Sequence, residues 1–261
     1  MCVLSGFRKS AAVLQCPYME RIDSTQNARV KNWGRLHQKK GRDETGLFLI
    51  EGMHLTEEAL KAGIVETIIT DTEPAFAFEH IVLTTPAVMH KLSQNPSGAH
   101  VSAVCRQLKK QAAGNSRILI LDDIQDPGNL GTLIRTAVSF SFDAVYCSEK
   151  TCDLYNEKVI RATQGALFAI PVIRTDVEKL TAELQRQGVQ VVATTLQEAD
   201  PMSAVEAQPA MAFILGNEGN GVRPSLQKAA DRRLKIEMNG FESLNVAVAG
   251  GIIMYRYRGQ K

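Results

Sequence analysis

The chain has 261 residues, 44% of them hydrophobic and 22% charged, with a formal net charge of +2. This globular composition excludes a disordered chain, allows one large domain or two modest ones, and does not by itself require a nucleic-acid partner. Five cysteines (Cys2, Cys16, Cys105, Cys147 and Cys152) form no Cys-x-x-Cys pair and suggest no disulfide or zinc framework, and no apolar run has the length of a signal peptide or membrane span. A cytoplasmic protein without membrane or metal is the expectation.

Residues 1–23 read as a flexible N-terminal extension, and Met19, opening MERIDSTQNARVKNW, looks more like a natural start. Arg21, Arg29, Lys31, Arg35, Lys39, Lys40 and Arg42 then crowd one stretch, opposed within it only by Asp23 and interleaved with Trp33 and His37. Cations beside a planar ring suit phosphates and unstacked bases, although a solvated basic helix gives the same pattern. Strand-like segments at 46–52, 65–71, 80–85 and 100–108, with helices at 53–63 and from Pro86, make residues 24–108 a small α/β unit. Small and polar residues at 109–116 read as a linker.

From residue 117 strand and helix alternate. Strands are expected at 117–123, 143–147, 168–174, 189–196, 211–217 and 233–238, and helices at 129–140, 157–166, 178–187, after Pro224 and from Ser243. Such βα alternation, with continuous apolar strands such as RILILDD, predicts a parallel sheet covered by helices over 117–261.

Three segments carry candidate chemistry. In LDDIQDPGNLGTLIRTA (121–137), a buried strand turns into a helix with Asn129 as the expected N-cap. Leu130, Leu133, Ile134, Ala137 and Val138 form its apolar stripe. Arg135 shares its side with Gly131 and Ser139, a face bare enough for a substrate to approach, though a surface arginine after a capped turn fits equally. In FILGNEGNGV (213–222), an apolar strand enters a glycine-rich loop lacking the lysine of a triphosphate site. In IEMNGFESLNVAVAGGIIMYR (236–256), Ser243 is the expected N-cap. The central Gly250 and Gly251, each costing about 1 kcal/mol in a helix, suggest close approach by another backbone or a ligand. All five histidines precede residue 117, which disfavours a Ser-His-Asp or His-liganded metal site in the second half.

In this order, DPGNLGTLIRTA, ILGNEGNGV and IEMNGFESLNVAVAGGIIMYR resemble the SpoU (TrmH-like) family of RNA ribose 2′-O-methyltransferases of the SPOUT superfamily, and KVIRATQGALFAIPV (158–172) is also similar. The resemblance is close over 117–258 and looser over 24–105. It implies an α/β SPOUT domain with a C-terminal trefoil knot, a ribosomal-protein-like substrate-binding unit before it, and a homodimer through the C-terminal domains. It also implies S-adenosylmethionine as methyl donor, bound by Thr194, Thr195, Leu196, Gly216, Ile236, Met238 and Leu244. Arg135, Asn129, Glu218, Asn245 and Ser243 fall on the family's catalytic positions. Ala247 and Gly250 depart from the commoner serine and alanine but remain small. The expected function is methylation of a ribose 2′-hydroxyl in ribosomal or transfer RNA, with Arg29, Lys31, Arg35, Lys39 and Lys40 contacting RNA. The alternative is a non-catalytic RNA-binding or ribosome-assembly protein on the same scaffold.

Overall fold

The computed structural model describes residues 19–259 except 96–97, 110, 113 and 240–242. The expected extension therefore lies outside the described residues as far as residue 18. Its last part does not behave as an extension, because β1 (Met19–Ile22) joins a sheet. After it come α1 (Ala28–Arg35), α2 (Lys39–Thr45), β2 (Leu47–Glu51), α3 (Met53–Lys61), β3 (Val65–Thr70), β4 (Ile81–Thr84), α4 (Pro86–Leu92) and β5 (Val101–Arg106). The sheet order is β1-β4-β3-β5-β2, with β5 antiparallel to both neighbours and the other pairs parallel. The apolar faces of α1 and α4 pack on one side of this sheet, where Val30, Trp33, Val88 and Leu92 are buried.

The second unit contains β6 (Arg117–Asp122), α5 (Pro127–Ser139), β7 (Ala144–Cys147), α6 (Glu157–Thr163), β8 (Val172–Arg174), α7 (Val177–Arg186) and β9 (Gln190–Thr194). It continues through β10 (Asp200–Pro201), β11 (Met211–Gly216), α8 (Pro224–Ala229), β12 (Arg232–Lys235) and α9 (Val246–Arg256). All its strands pair in parallel, in the order β10-β12-β9-β11-β6-β7-β8. The two central strands, β6 and β11, bury nearly every residue, as expected of apolar strands covered on both faces. The chain first builds outward from β6 through β7 to β8 and then crosses to the other side. In open α/β sheets, ligands gather at the carboxyl ends of strands beside such a reversal.

The two units share one apolar core. Phe48 of β2 packs on Tyr155 at 4.7 Å between ring centroids and on Phe168 at 6.1 Å. The Tyr155 hydroxyl accepts a 2.8 Å hydrogen bond from the Leu108 amide.

Candidate functional site

The α5 helix begins two residues earlier than expected. Its N-cap is Asp126, whose carboxylate accepts from the Asn129 amide at 2.8 Å, and Pro127 occupies the first turn, where its missing N–H costs nothing. Asn129 is therefore not the cap, and its side chain is free for other partners. Its Nδ2 donates to Glu218 at 3.0 Å and its Oδ1 accepts from Asn245 Nδ2 at 3.0 Å. Ser243 is likewise not the cap of α9. Asn245 takes that role, its Oδ1 accepting from the amides of Ala247 and Val248. Side chains from three separate segments thus form one chain, Glu218–Asn129–Asn245.

Glu218 also accepts from the amides of Gln125 and Asp126, each at 3.1 Å. Partial burial pushes its carboxyl pKa up, but the Asn129 bond and backbone amides outweigh that and hold it below the usual glutamate value. Glu218 is a carboxylate that ties the glycine-rich loop to the start of α5.

That loop has a second tether, which the sequence did not reveal. The Arg223 guanidinium pairs with the buried Asp122 carboxylate at the end of β6 and with Asp123 at 3.1 Å, and its backbone amide donates to Asp122 at 3.0 Å. Adjacent carboxylates at a strand end, unassigned from sequence, are thereby explained: they hold the loop. Within it, Asn217 and Gly221 exchange two backbone hydrogen bonds, and Asn217 Oδ1 accepts from the amides of Gly219 and Asn220. Gly216 is needed for this close return, since a Cβ there would lie 2.0 Å from the backbone of Gly221 and Val222.

The loops after β9, β11 and β12 and the start of α9 enclose a cleft of about 690 Å³. Its lining includes all seven residues expected to bind the methyl donor: Thr194, Thr195, Leu196, Gly216, Ile236, Met238 and Leu244. Glu218, Ser243 and Asn245 line it too, while Asn129 and Arg135 do not. Leu196 and Leu244 are unusually exposed for leucine, at 53% and 37%. A cleft of this size, with apolar side chains and loop backbone at its walls, fits a nucleoside-like donor.

Arg135 projects from the exposed side of α5, and among the described residues its guanidinium makes no hydrogen bond or ion pair. The bare face expected beside it has another cause. Gly131 is buried beneath α6, where a Cβ would meet the Ala162 Cβ at 2.5 Å and the Val159 carbonyl at 2.8 Å. The glycine serves helix packing and leaves no opening for substrate. Gly250 is similar, because a Cβ there would strike Leu133 and Leu215 of the same chain, whereas Gly251 has open space around it.

The basic stretch is more neutral in space than in sequence. Arg29 pairs with Glu20 and lies 4.9 Å from the Trp33 ring, Arg35 pairs with Glu44, Lys39 with Asp43 and Lys40 more loosely with Glu44. Trp33 and Arg42 are buried and unavailable to bases or phosphates. Arg29 is partly exposed; Lys31, Arg35, Lys39 and Lys40 stay exposed, and among the described residues Lys31 has no ion pair.

Comparison with known proteins identifies the family of the chain. The model of the SpoU rRNA methylase family matches residues 116–255, and that of an MRM3-like substrate-binding domain matches residues 27–103. The chain is 40% identical over 251 residues to the 23S rRNA (guanosine(2553)-2′-O)-methyltransferase RlmP of Bacillus subtilis, covering 92% of the chain and 100% of the relative. An uncharacterised tRNA/rRNA methyltransferase of Synechocystis is 30% identical, over 92% of the chain and 94% of the relative. Among solved structures, an AdoMet-bound rRNA methyltransferase from Sinorhizobium meliloti superposes with a TM-score of 0.82 at 28% identity, over 91% of this chain and 96% of that one. An RNA 2′-O ribose methyltransferase superposes with a TM-score of 0.77 at 30% identity, over 90% and 96%.

Proposed function

The chain belongs to the SpoU rRNA methylase family, and from that membership we propose that it methylates one ribose 2′-hydroxyl of large-subunit ribosomal RNA. It is an S-adenosylmethionine-dependent RNA methyltransferase. The observation that carries the reading is the Glu218–Asn129–Asn245 chain at the rim of a cleft containing every expected donor-binding residue.

The donor supplies a methyl group already made electrophilic by its sulfonium. Leu196, Ile236, Met238 and Leu244 offer it apolar surface, and the backbone around Thr194, Thr195 and Gly216 offers polar partners. Glu218, Asn129 and Asn245 hold the three surrounding segments in register, and Ser243 supplies a hydroxyl at the rim. A guanidinium stays protonated, so Arg135 anchors the RNA phosphate and polarises the ribose hydroxyl, whose proton leaves to that phosphate or to water as the methyl group is transferred. Holding that hydroxyl in line supplies much of the rate.

The functional unit in this reading is a homodimer through the C-terminal domains, knotted as the family resemblance implies. The α9 helix exposes Val248 and Tyr255 at 51% and 60%, with Gly251 open beside them, and Arg135 does not line its own chain's cleft. A second copy packed on this face would cover the apolar residues and bring Arg135 to the neighbouring cleft. Arg29, Lys31, Arg35, Lys39 and Lys40 contact the RNA through the N-terminal unit, and the protein works in the cytoplasm.

Incubation with radiolabelled S-adenosylmethionine and unmodified total RNA, followed by nucleoside chromatography, tests the proposal. Label in a 2′-O-methyl nucleoside of large-subunit RNA is expected. Label confined to transfer RNA, or to a base, would refute it.

A further inference from the structure

Arg42 belongs to the basic stretch, yet it is only 5% exposed and reaches into the other unit. Its Nη2 donates to Asp153 at 2.6 Å, while Nη1 donates to the carbonyls of Leu36 and His37 at 2.7 and 2.9 Å. Its own carbonyl accepts from Gln107. One guanidinium thus fixes the turn between α1 and α2 and grips a carboxylate of the methyltransferase unit.

Asp153 lies in a segment bonded directly to the site. The preceding Cys152 amide donates to the Ile124 carbonyl at 2.9 Å, and Gln125 Nε2 donates to the Lys150 carbonyl at 2.6 Å. The Gln125 amide in turn donates to Glu218. Arg174 braces the same segment through the carbonyls of Ser148, Glu149, Thr151 and Cys152. A short run of hydrogen bonds therefore links the N-terminal unit to the Glu218–Asn129 pair. A buried ion pair adds little net stability over apolar residues of the same volume, because desolvation offsets its attraction. What such a pair does well is fix direction.

We infer that Arg42 and Asp153 are positioning residues, setting the orientation in which the RNA-binding unit meets the methyl-transfer centre, so that an RNA gripped by both presents its ribose in line. The inference rests on the reading of the protein as an RNA methyltransferase. Asp153→Asn tests it, since this change keeps the side chain's shape and its bond from the Tyr155 amide but removes the charge facing Arg42.

Two measurements decide. In the protein without RNA, hydrogen exchange at the Gln125 and Asp126 amides should accelerate in Asp153→Asn, and unchanged exchange overturns the inference whatever the substrate. With RNA, kcat/KM is compared on a long large-subunit transcript and on a short hairpin around the methylated nucleotide. A loss of about tenfold on the transcript with the hairpin unaffected is expected. Equal loss on both, or loss on neither, overturns the inference. If Asp153→Asn does not fold, Arg42→Lys keeps a cation facing Asp153 but cannot hold that carboxylate and the Leu36 and His37 carbonyls together; the same selective loss is expected. If the unmodified protein methylates neither RNA, the proposed function fails, and hydrogen exchange still judges the positioning role.

Discussion

Replacing Gly216 by alanine probes how the cleft is built. The added Cβ would sit 2.0 Å from the Gly221 carbonyl carbon and the Val222 nitrogen, where ordinary contact begins at 3.4 Å. Both neighbours are backbone, so no side-chain rotation relieves the clash. The strand cannot yield, because β11 is bonded to β6 on one side and β9 on the other. The loop must move instead, straining the Asn217–Gly221 hydrogen-bond pair and the Arg223–Asp122 tether. Overpacking of this kind costs about 1–3 kcal/mol, and each backbone hydrogen bond lost adds about 1 kcal/mol. A destabilisation of roughly 2–4 kcal/mol is expected, together with at least about a tenfold loss of S-adenosylmethionine affinity as the cleft wall shifts. Urea unfolding and calorimetric titration with the donor measure the two effects. A variant with the unfolding midpoint and donor affinity of the parent would refute this account of the loop.

Other residues make separate predictions. Arg135→Ala should abolish methyl transfer while donor affinity and melting temperature stay near those of the parent, because the guanidinium is exposed and unbonded among the described residues; single-turnover assays and thermal melts read this. Glu218 has a depressed pKa, so its stabilising contribution is complete above the ordinary value of 4.5 and disappears as pH falls through the depressed value. The melting difference between the parent and Glu218→Gln should therefore hold steady from about pH 7 to 5 and shrink below that; a difference vanishing already near pH 6 would contradict it. Gly251→Ala should stabilise an isolated chain by about 1 kcal/mol, as alanine favours helix and nothing blocks its Cβ, but weaken a dimer packed on that face. Sedimentation at several concentrations separates the two results.

The apolar runs of β6 and β11 and the alternating elements made the parallel sheet readable in the sequence. The order of the three motifs brought Asn129, Glu218 and Asn245 within reach of one another. Local capping was less legible. Asp126, Asn129, Ser243 and Asn245 are all competent caps, and only the three-dimensional partners decide which is used for a helix and which for the site. The Asp-Pro pair at 126–127 was an available signal, since proline favours the first helical position. Arg223 gave no local signal, as Asp122 and Asp123, which it holds, lie about a hundred residues earlier. The net charge of the basic stretch was less legible, because charge counted along the chain omits partners that fold back onto it. Glu20, Glu44 and Asp153, outside that stretch, neutralise much of it in space.

Asn245 uses both ends of one amide. Its oxygen starts the last helix, and its nitrogen closes the chain of side chains that begins at Glu218. The start of α9 and the closing of the site therefore depend on one side chain. A nascent chain still short of this residue, or one cut before it, can hold Asn129 against Glu218 but lacks the third member and the helix behind it. In the proposed reading, a chain without Asn245 and α9 therefore transfers no methyl group, however well its earlier strands have paired.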